Sequence, residues 1–244
     1  MNKLSKRLTM LCGMVKKGSR VVDVGCDHGF VPIFLVQSGL CPHVLAMDVG
    51  SGPLSGAREH IAELGLNDYI DTRLSDGLEN YRRGEADVLV CAGMGGRLML
   101  RILSEAGEKL EDFSELLLQP QSELFEFRNK LRMGGYYITD EEMVFEGGKY
   151  YFIMKAVHSK ENAGEDGEMY AGVSVGELYD RYGEWNIKKS SPVLINFLTE
   201  TLEARTELEQ SLLKKGGTRA EARLDGLSHE ICCIRAALGI MGET

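Results

Sequence analysis

A turn near the N-terminus holds the side chains best placed to do chemistry. The apolar run Val21–Val24 ends there and is followed by Gly25, Asp27, His28 and Gly29. A helix-like apolar pattern comes directly after the turn. A buried strand, a glycine turn and a helix in this order begin the βαβ unit of a nucleotide-binding fold.

The acids around this turn indicate which kind of nucleotide binds. Asp48 ends the next apolar run, about 20 residues past the turn, where an acid binds the hydroxyls of a ribose. Asp27 stands where a dinucleotide site requires a small residue facing pyrophosphate, so the turn is not a GxGxxG fingerprint. A carboxylate repels phosphate but tolerates a cation. We therefore expect S-adenosylmethionine, a sulfonium nucleoside without phosphate, as the cofactor.

Other residues at the ends of predicted strands fit the same ligand. Gly25 and Gly29 let the backbone approach it closely. Asp23, at the end of the first strand, can orient the turn or accept a hydrogen bond from the ligand's amino group. Asp76 is placed to accept from the adenine amino group, and it is equally well explained as a turn residue before Gly77.

A glycine-rich segment, Gly93-Met94-Gly95-Gly96, follows the fourth apolar run at 87–92. The Asn/Asp-Pro-Pro-aromatic motif that grips an exocyclic amine in amino-methyltransferases is absent there. The segment offers backbone groups and room for a flat base, although a tight turn before the next helix explains it too. We expect a ring nitrogen as the methyl acceptor, because its lone pair needs positioning more than activation.

Asp27 and His28 are the candidate catalytic residues. A ring nitrogen becomes cationic when it accepts a methyl group. The Asp27 carboxylate could stabilise that charge or help to remove a proton, with His28 beside the line of methyl transfer. The alternative for His28 is a helix-start residue in a polar niche.

The order of elements predicts the fold. We expect a helix over 3–15 and strands at 20–25, 43–48, 70–74, 87–92 and 116–118, with helices between them. Runs 136–145 and 149–157, joined through Glu146-Gly147-Gly148, predict an antiparallel hairpin. Five β/α units followed by such a hairpin are typical of Rossmann-like methyltransferases, whereas dinucleotide dehydrogenases carry a parallel sixth strand. The fold class is therefore α/β, with a catalytic domain at 1–158.

Residues 168–244 form a helical C-terminal domain in this interpretation, after a polar linker at 158–167. Ser174 with Glu177, and Thr218 with Glu221, have the spacing of capping boxes. Pro192 opens a long helix. A second helix carries a heptad stripe of Leu224, Leu227, Ile231, Ile234 and Leu238. Because the turn between these two helices is short, we expect them to pack on each other as a coiled-coil-like hairpin in a monomer, rather than to form a dimer.

Composition sets further limits. The net charge is −9, which argues against nucleic acid, yet residues 1–20 carry six basic side chains and no acid. That segment is either a local RNA-binding face or a solvated helix. The six cysteines show no CxxC or Cys/His ligand spacing, so we expect buried thiols with neither a disulfide nor a metal. No signal peptide or long apolar run is present, which predicts a cytoplasmic protein without a membrane span.

Four motifs together resemble a known bacterial family, the tRNA (adenine-22-N1)-methyltransferases. They are Leu4-Ser5-Lys6-Arg7-Leu8, Asp23-Val24-Gly25-Cys26-Asp27-His28-Gly29, Ala92-Gly93-Met94-Gly95-Gly96 and Gln119-Pro120-Gln121. The resemblance covers the catalytic domain and extends to the C-terminal hairpin. It implies S-adenosylmethionine as the methyl donor, N1 of an adenine in the D-arm region of tRNA as the acceptor, and a helical tail that helps to hold the tRNA.

The patterns and the resemblance together assign the site residues. Those expected to bind the cofactor are Asp23, Gly25, Asp27, His28, Gly29, Asp48, Asp76, Gly77, Ala92, Gly93 and Met94. Those expected to bind the substrate are Lys6, Arg7, Gly95, Gly96 and Gln119. The lysines expected to contact phosphates in the C-terminal part are Lys188, Lys189, Lys214 and Lys215.

Two other classes of function remain open from sequence. One is a methyltransferase acting on another RNA site, a small molecule or a protein, which the acidic charge would suit. The other is a non-catalytic RNA-binding module with a retained Rossmann-like shell. Salt dependence separates the first from a tRNA enzyme, because phosphate contacts weaken steeply with salt, and a calorimetric titration with S-adenosylmethionine tests the second.

Overall fold

Short aliphatic runs form the centre of a seven-stranded sheet. The computed structural model describes residues 4–158 and 168–242. The strands are β1 (Val21–Val24), β2 (Val44–Asp48), β3 (Ile70–Leu74), β4 (Val88–Met94), β5 (Glu115–Pro120), β6 (Tyr136–Glu146) and β7 (Lys149–His158). They lie in the order β3-β2-β1-β4-β5-β7-β6. β1 is buried along its whole length because helices cover both faces of a parallel sheet.

The helices of this unit fall where the periodicity predicts them. They are α1 (Lys6–Gly13), α2 (Phe30–Gln37), α3 (Ser51–Glu63), α4 (Gly96–Ala106) and α5 (Leu124–Met133), with a 3₁₀ helix at Gly107–Asp112 before β5. Pro32 lies in the first turn of α2, where its missing N–H costs nothing. α3 begins four residues earlier than the predicted start at Ser55.

The last two strands confirm the predicted hairpin. β7 pairs antiparallel with both β5 and β6, whereas β1 to β5 pair in parallel with one another. Gly147 and Gly148 make the turn, both with positive φ. The fold class is thus the Rossmann-like methyltransferase sheet, and this arrangement excludes the parallel sixth strand of a dinucleotide dehydrogenase.

Strand register brings the candidate site together. Val24 lies opposite Met47 of β2 and Cys91 of β4. Because these strands are parallel, the segments that follow them leave the sheet at the same edge. The turn after β1, the acid at the end of β2 and the glycine segment after Cys91 therefore meet there, as ligand sites in open α/β sheets do.

A second compact unit, Gly164–Thr244, follows the first, Met1–Ala163. Its elements are the short strands β8 (Met169–Tyr170) and β9 (Val173–Ser174) and the helices α6 (Val175–Tyr182), α7 (Glu184–Lys188), α8 (Pro192–Lys215) and α9 (Thr218–Ile240). α8 and α9 pack on each other, and Leu227, Ile231, Ile234 and Leu238 of the heptad stripe are buried. The helical hairpin is confirmed, while the predicted linker at 158–167 lies, apart from its first residue, outside the described residues.

Neither predicted capping box forms. Ser174 is the N-cap of α6 but its hydroxyl makes no cap hydrogen bond, and the Glu177 carboxylate, the other member of the box, pairs with Arg181 and His229. At α9 the N-cap is Gly217, so Thr218 is already the first helical residue. The spacing therefore located both helix starts to within one residue, but the hydrogen bonds of the two predicted capping boxes do not form.

A buried ion pair joins α5 to the terminal hairpin. Arg128 Nε donates to Glu141 Oε1 at 2.8 Å, and the two side chains are 2% and 0% exposed. The guanidinium also lies over the ring of Phe152, 5.2 Å from its centroid. Breaking such a pair leaves a charge without its counter-ion in a medium of low polarity.

We expect Glu141→Gln to lower the free energy of unfolding by about 3 kcal/mol for this reason. Glu105→Gln makes the same chemical change in the exposed pair with Arg101 and should cost less than about 0.5 kcal/mol. Urea unfolding of the two variants gives both values, and equal losses would contradict a special role for the buried pair.

Candidate active site

The turn after β1 adopts a conformation that few residues tolerate. Gly25 and Gly29 have φ of +79° and +76°, and Asp27 lies in the left-handed region at φ 51°. Aspartate is one of the few non-glycine residues that adopt it at modest cost. The Asp27 N–H donates to Asp48 Oδ2 at 3.0 Å, which holds the turn against the end of β2.

Asp48 is fixed by backbone donors. In addition to the bond from Asp27, its Oδ1 accepts from the Gly50 N–H at 2.8 Å. Each carboxylate oxygen has two lone pairs, so both oxygens can still accept from the two hydroxyls of a ribose. Asp48 precedes α3, whose N-cap is Gly50, and is therefore not the acid of a helix start.

Asp23 is a buried acid beneath the turn. It is 3% exposed, and burial together with the charge of Asp48 raises the pKa of its carboxyl to about 7. Burial therefore favours the protonated form of this carboxyl when no counter-charge is near. It can orient the turn when protonated and accept from a cationic amine when ionised.

Asp76 already has a strong partner. Its two oxygens accept from Arg101 of α4 at 2.9 and 3.3 Å. Gly77 turns the chain with φ +52°, and a Cβ there would lie 3.0 Å from Ile102. The geometry favours the turn interpretation, and the contact between Asp76 and adenine stays a prediction.

The glycine segment is partly strand. β4 continues through Gly93 and Met94, with a register shift between Ala92 and Met94 and φ +81° at Gly93. A Cβ on Gly25 would lie 2.7 Å from the Met94 methyl. The turn after β1 thus lies next to the end of β4, as expected for two parts of one site.

Packing requires a glycine at position 96. Gly95 is the N-cap of α4, and a Cβ on Gly96 would lie 2.5 Å from the carbonyl oxygen of Ser122. The Gly96 N–H already donates to Ser122 Oγ at 3.2 Å. Gly93 is less crowded, because the nearest side-chain atoms to a Cβ there, from Arg7 and Gln121, would be 3.9 Å away, an ordinary contact distance.

Arg7 and Gln119 are brought together from opposite parts of the sequence. Arg7 Nη1 donates to Gln119 Oε1 at 2.8 Å, and the guanidinium lies 5.4 Å from the ring centroid of Tyr151. The Glu146 carboxylate accepts from the Lys6 N–H at 2.6 Å, which places the start of α1 against the hairpin. Tyr151 and Glu146 were missed by sequence reasoning, because no local pattern reports a contact across so many residues.

His28 lies over α3 beside the turn. Its Nε2 is 3.6 Å from Asp27 Oδ1. A Cβ on Gly56 would lie 2.7 Å from His28 Nδ1, so the ring rests on a position without a side chain. The structure places both candidate catalytic residues at the surface of the turn, and their catalytic role stays a prediction.

The C-terminal unit holds a cluster that the sequence reading overlooked. Glu177 Oε1 lies 2.8 Å from His229 Nε2 and 3.7 Å from Cys233 Sγ. His229 and Cys233 are four residues apart on α9, a spacing that places two metal ligands on one helix face. However, Arg181 also donates to that same Glu177 oxygen, at 2.8 Å. The cluster is therefore explained as an ion-pair network within the described residues.

The cysteines fit the expectation of free thiols in part. Cys12, Cys26, Cys41, Cys91 and Cys233 are buried without a disulfide, whereas Cys232 is exposed. Burial raises the pKa of the Cys41 thiol to about 11 and that of Cys91 beyond it. These buried groups are protonated thiols at neutral pH and take part in packing.

The site fits a cationic nucleoside. Asp23 and Asp48 interact electrostatically beneath the turn, and Asp27, whose N–H bonds Asp48, has an exposed carboxylate. A pyrophosphate at this turn would meet these acids. A sulfonium and an ammonium group are attracted by the same charges, and Asp48 offers acceptors for a ribose.

Comparisons with known proteins agree with this geometry. A methyltransferase domain model matches residues 4–154. The tRNA (adenine(22)-N(1))-methyltransferase of Bacillus subtilis is 30% identical over 240 residues, which cover 93% of this chain and 98% of that protein. The chain belongs to the tRNA (adenine-22-N1)-methyltransferase family.

Solved structures support the family assignment. A putative tRNA (m1A22) methyltransferase of Streptococcus pneumoniae in complex with S-adenosyl-L-methionine has a TM-score of 0.81 and 30% identity, covering 97% of this chain and 100% of that one. The B. subtilis m1A22 tRNA methyltransferase has a TM-score of 0.79 and 26% identity, with 98% and 100% coverage. S-adenosylmethionine is therefore the cofactor of this methyltransferase, as the acids of the turn predicted.

Replacing Asp48 by asparagine should weaken the binding of S-adenosylmethionine. The change removes the charge that would strengthen the two predicted ribose hydrogen bonds, so we expect Kd to rise about a hundredfold in calorimetric titration. Asp76→Asn is the matched control, since Arg101 already occupies that carboxylate. Its Kd should stay within about threefold of wild type, and a larger loss there than at Asp48 would transfer the main cofactor contact to Asp76.

The stability of the cofactor-free protein should report the ionisation of Asp23. The folded-state pKa lies above the ordinary value of 3.8, so the Asp23 contribution to stability is fully present below about pH 4 and is lost as pH rises through about 7. Between pH 5 and pH 8, wild type should lose on the order of 2–3 kcal/mol relative to Asp23→Asn. Urea unfolding at the two pH values measures this, and parallel changes in both proteins would contradict it.

Proposed function

We propose that this protein transfers a methyl group from S-adenosylmethionine to N1 of adenine 22 in tRNA. The observation that carries the proposal is the similarity to the B. subtilis tRNA (adenine(22)-N(1))-methyltransferase over nearly the whole of both chains. Two local features fit this reaction: the acidic turn, which repels phosphate, and Gly93, which has no side chain and is bordered by Arg7 and Gln121.

The cofactor side of the site lies over β1 and β2. When bound, S-adenosylmethionine would supply a methyl group to the N1 lone pair; the N–C bond forms as the C–S bond breaks, and its electron pair stays on the sulfur of S-adenosylhomocysteine. Asp48 would hold the ribose, because its carboxylate is already oriented by two backbone donors. Asp23 would accept a hydrogen bond from the amino group of the cofactor. The negative charge of the ionised Asp23 carboxylate would offset part of the free-energy cost of burying that ammonium group.

The base would lie against Gly93. The lone pair of N1 points away from the ring in its plane, so the residues need only hold the base at the correct angle. The Gln121 amide and the Arg7 guanidinium border this position, and the Gln119 amide accepts from Arg7. Methylation leaves a cationic ring, and we assign its stabilisation, or removal of its proton, to the exposed Asp27 beside His28.

The tRNA backbone would be held by exposed basic residues. Lys6 is exposed at the start of α1, and Lys214 and Lys215 are exposed in the last turn of α8. Lys188 is less suited to bind a phosphate, since Glu184 accepts a hydrogen bond from it at 2.5 Å and its ammonium group lies near two aromatic rings. We assign catalysis to residues 1–158 and additional tRNA contacts to 168–244.

The protein is proposed to act as a monomer in the cytoplasm. The buried heptad stripe of α9 faces its own chain, which removes the main candidate surface for a coiled-coil dimer. Among the described residues, no helix is long and apolar enough to cross a membrane.

Incubation of the purified protein with S-adenosylmethionine and an unmodified tRNA that has adenine at position 22 tests the function. Nucleoside and fragment mass mapping should locate one N1-methyladenosine at that position. The matched control is the same tRNA with guanine 22, which should stay unmodified. Initial rates should fall steeply with added salt because phosphate contacts release counter-ions. Methylation elsewhere, or none, would refute the proposal.

A further inference from the structure

A cleft of about 250 Å³ opens on the surface of the catalytic unit between α2 and α3. Phe30, Phe34 and His60 contribute its aromatic rings, and Leu4 closes it from the segment before α1. Phe30 is the first residue of α2 and directly follows the cofactor-binding turn. The cleft therefore begins where the proposed site for the cofactor ends.

Three aromatic rings at this end of the cleft are tilted relative to one another rather than stacked face to face. The centroids of His28, Phe30 and His60 are 5.8 to 6.0 Å apart, with interplanar angles between 34° and 53°. Phe30 is 38% exposed, and half of the His28 side chain is accessible. His60 Nδ1 lies 3.1 Å from the carbonyl oxygen of His28, which ties α3 to the turn. Ring faces held in this way are available to a flat ligand.

The chemistry of the cleft favours a base over a phosphate. Its described lining residues include Glu63 but no lysine or arginine. Phosphate would meet a carboxylate there, whereas a nucleobase would meet aromatic and aliphatic surface. The basic residues lie next to the cleft: Leu4 lines it, and Lys6 and Arg7 follow within three residues.

The segment 4–7 also joins the cleft to the catalytic side. Leu4 contacts the cleft, while Arg7 bonds Gln119 at the end of β5 and borders Gly93. One strand of RNA lying along α1 could therefore place one nucleotide at Gly93 and a neighbouring one at Phe30. Basic side chains in between would lie near the connecting phosphates.

The proposed reaction creates the need for such a surface. N1 lies on the Watson–Crick edge of adenine, so a target that is paired must leave its pair before it can react. Its neighbour then loses a stacking partner, and an enzyme recovers that energy by stacking the base on its own rings. From these observations and the proposed function, we propose that Phe30 and His60, beside His28, form a stacking site for an unpaired nucleobase next to the target adenine.

Phe30→Leu tests the proposal because it keeps an apolar side chain and removes the ring face. We expect KM for tRNA to rise about tenfold, the range found for loss of one stacked base, with kcat and the Kd of S-adenosylmethionine unchanged. His60→Leu should have a smaller effect of the same kind, and Phe30→Tyr should restore the wild-type KM. Tyr69→Leu is the matched control, since Tyr69 is also exposed but precedes β3 at the opposite edge of the sheet.

A fluorescent base distinguishes stacking from simple packing. In tRNA with 2-aminopurine at a nucleotide flanking position 22, binding of wild type should quench the fluorescence, while Phe30→Leu should not. Unchanged KM and equal quenching by the Leu variant would overturn the stacking site, as would a loss of S-adenosylmethionine binding without a change in KM. If wild type itself does not methylate adenine 22, the proposed function fails, and this outcome is seen before any variant is made.

Discussion

The carboxylate of Asp48 holds together the two chain segments on which the site depends. It accepts from the backbone of Asp27, in the turn after β1, and of Gly50, before α3. Parallel pairing of β1 and β2 brings these segments to one edge, but pairing alone does not determine the path of the turn. The two hydrogen bonds orient the acid, and the one from Asp27 also holds the turn against β2, so the proposed ribose contact and the geometry of the turn depend on the same carboxylate.

Much of this arrangement follows from local sequence. Aliphatic runs, glycine turns and the spacing from Gly25 to Asp48 predict the strands, their edge and the nature of the ligand, because each depends on neighbouring residues. The hairpin of β6 and β7 is predicted for the same reason: two alternating runs and a Gly-Gly turn leave few other arrangements. Helix starts at Ser174 and Thr218 are also located within a residue.

What the sequence could not predict depends on distant partners. Arg101 occupies Asp76 and Ser122 packs on Gly96, and neither contact leaves a pattern near the residue that it affects. Glu177 has the spacing of a capping residue, but its carboxylate lies 2.8 Å from Nε2 of His229, on α9. The pairing of Arg7 with Gln119 requires that α1 lie against the hairpin. In each case a contact with a residue far along the chain decides the arrangement, and only the folded chain shows that contact.

The contact between His28 and Gly56 has a consequence for how this surface can change over time. The imidazole occupies space that any side chain on Gly56 would fill, since even a methyl group would lie 2.7 Å from its Nδ1. A mutation on the outer helix α3 would therefore displace a ring of the active-site turn without touching the cofactor. His28 and Gly56 are in this sense an epistatic pair, because each constrains which substitutions the other can accept. We expect them to be retained or lost together as lineages diverge.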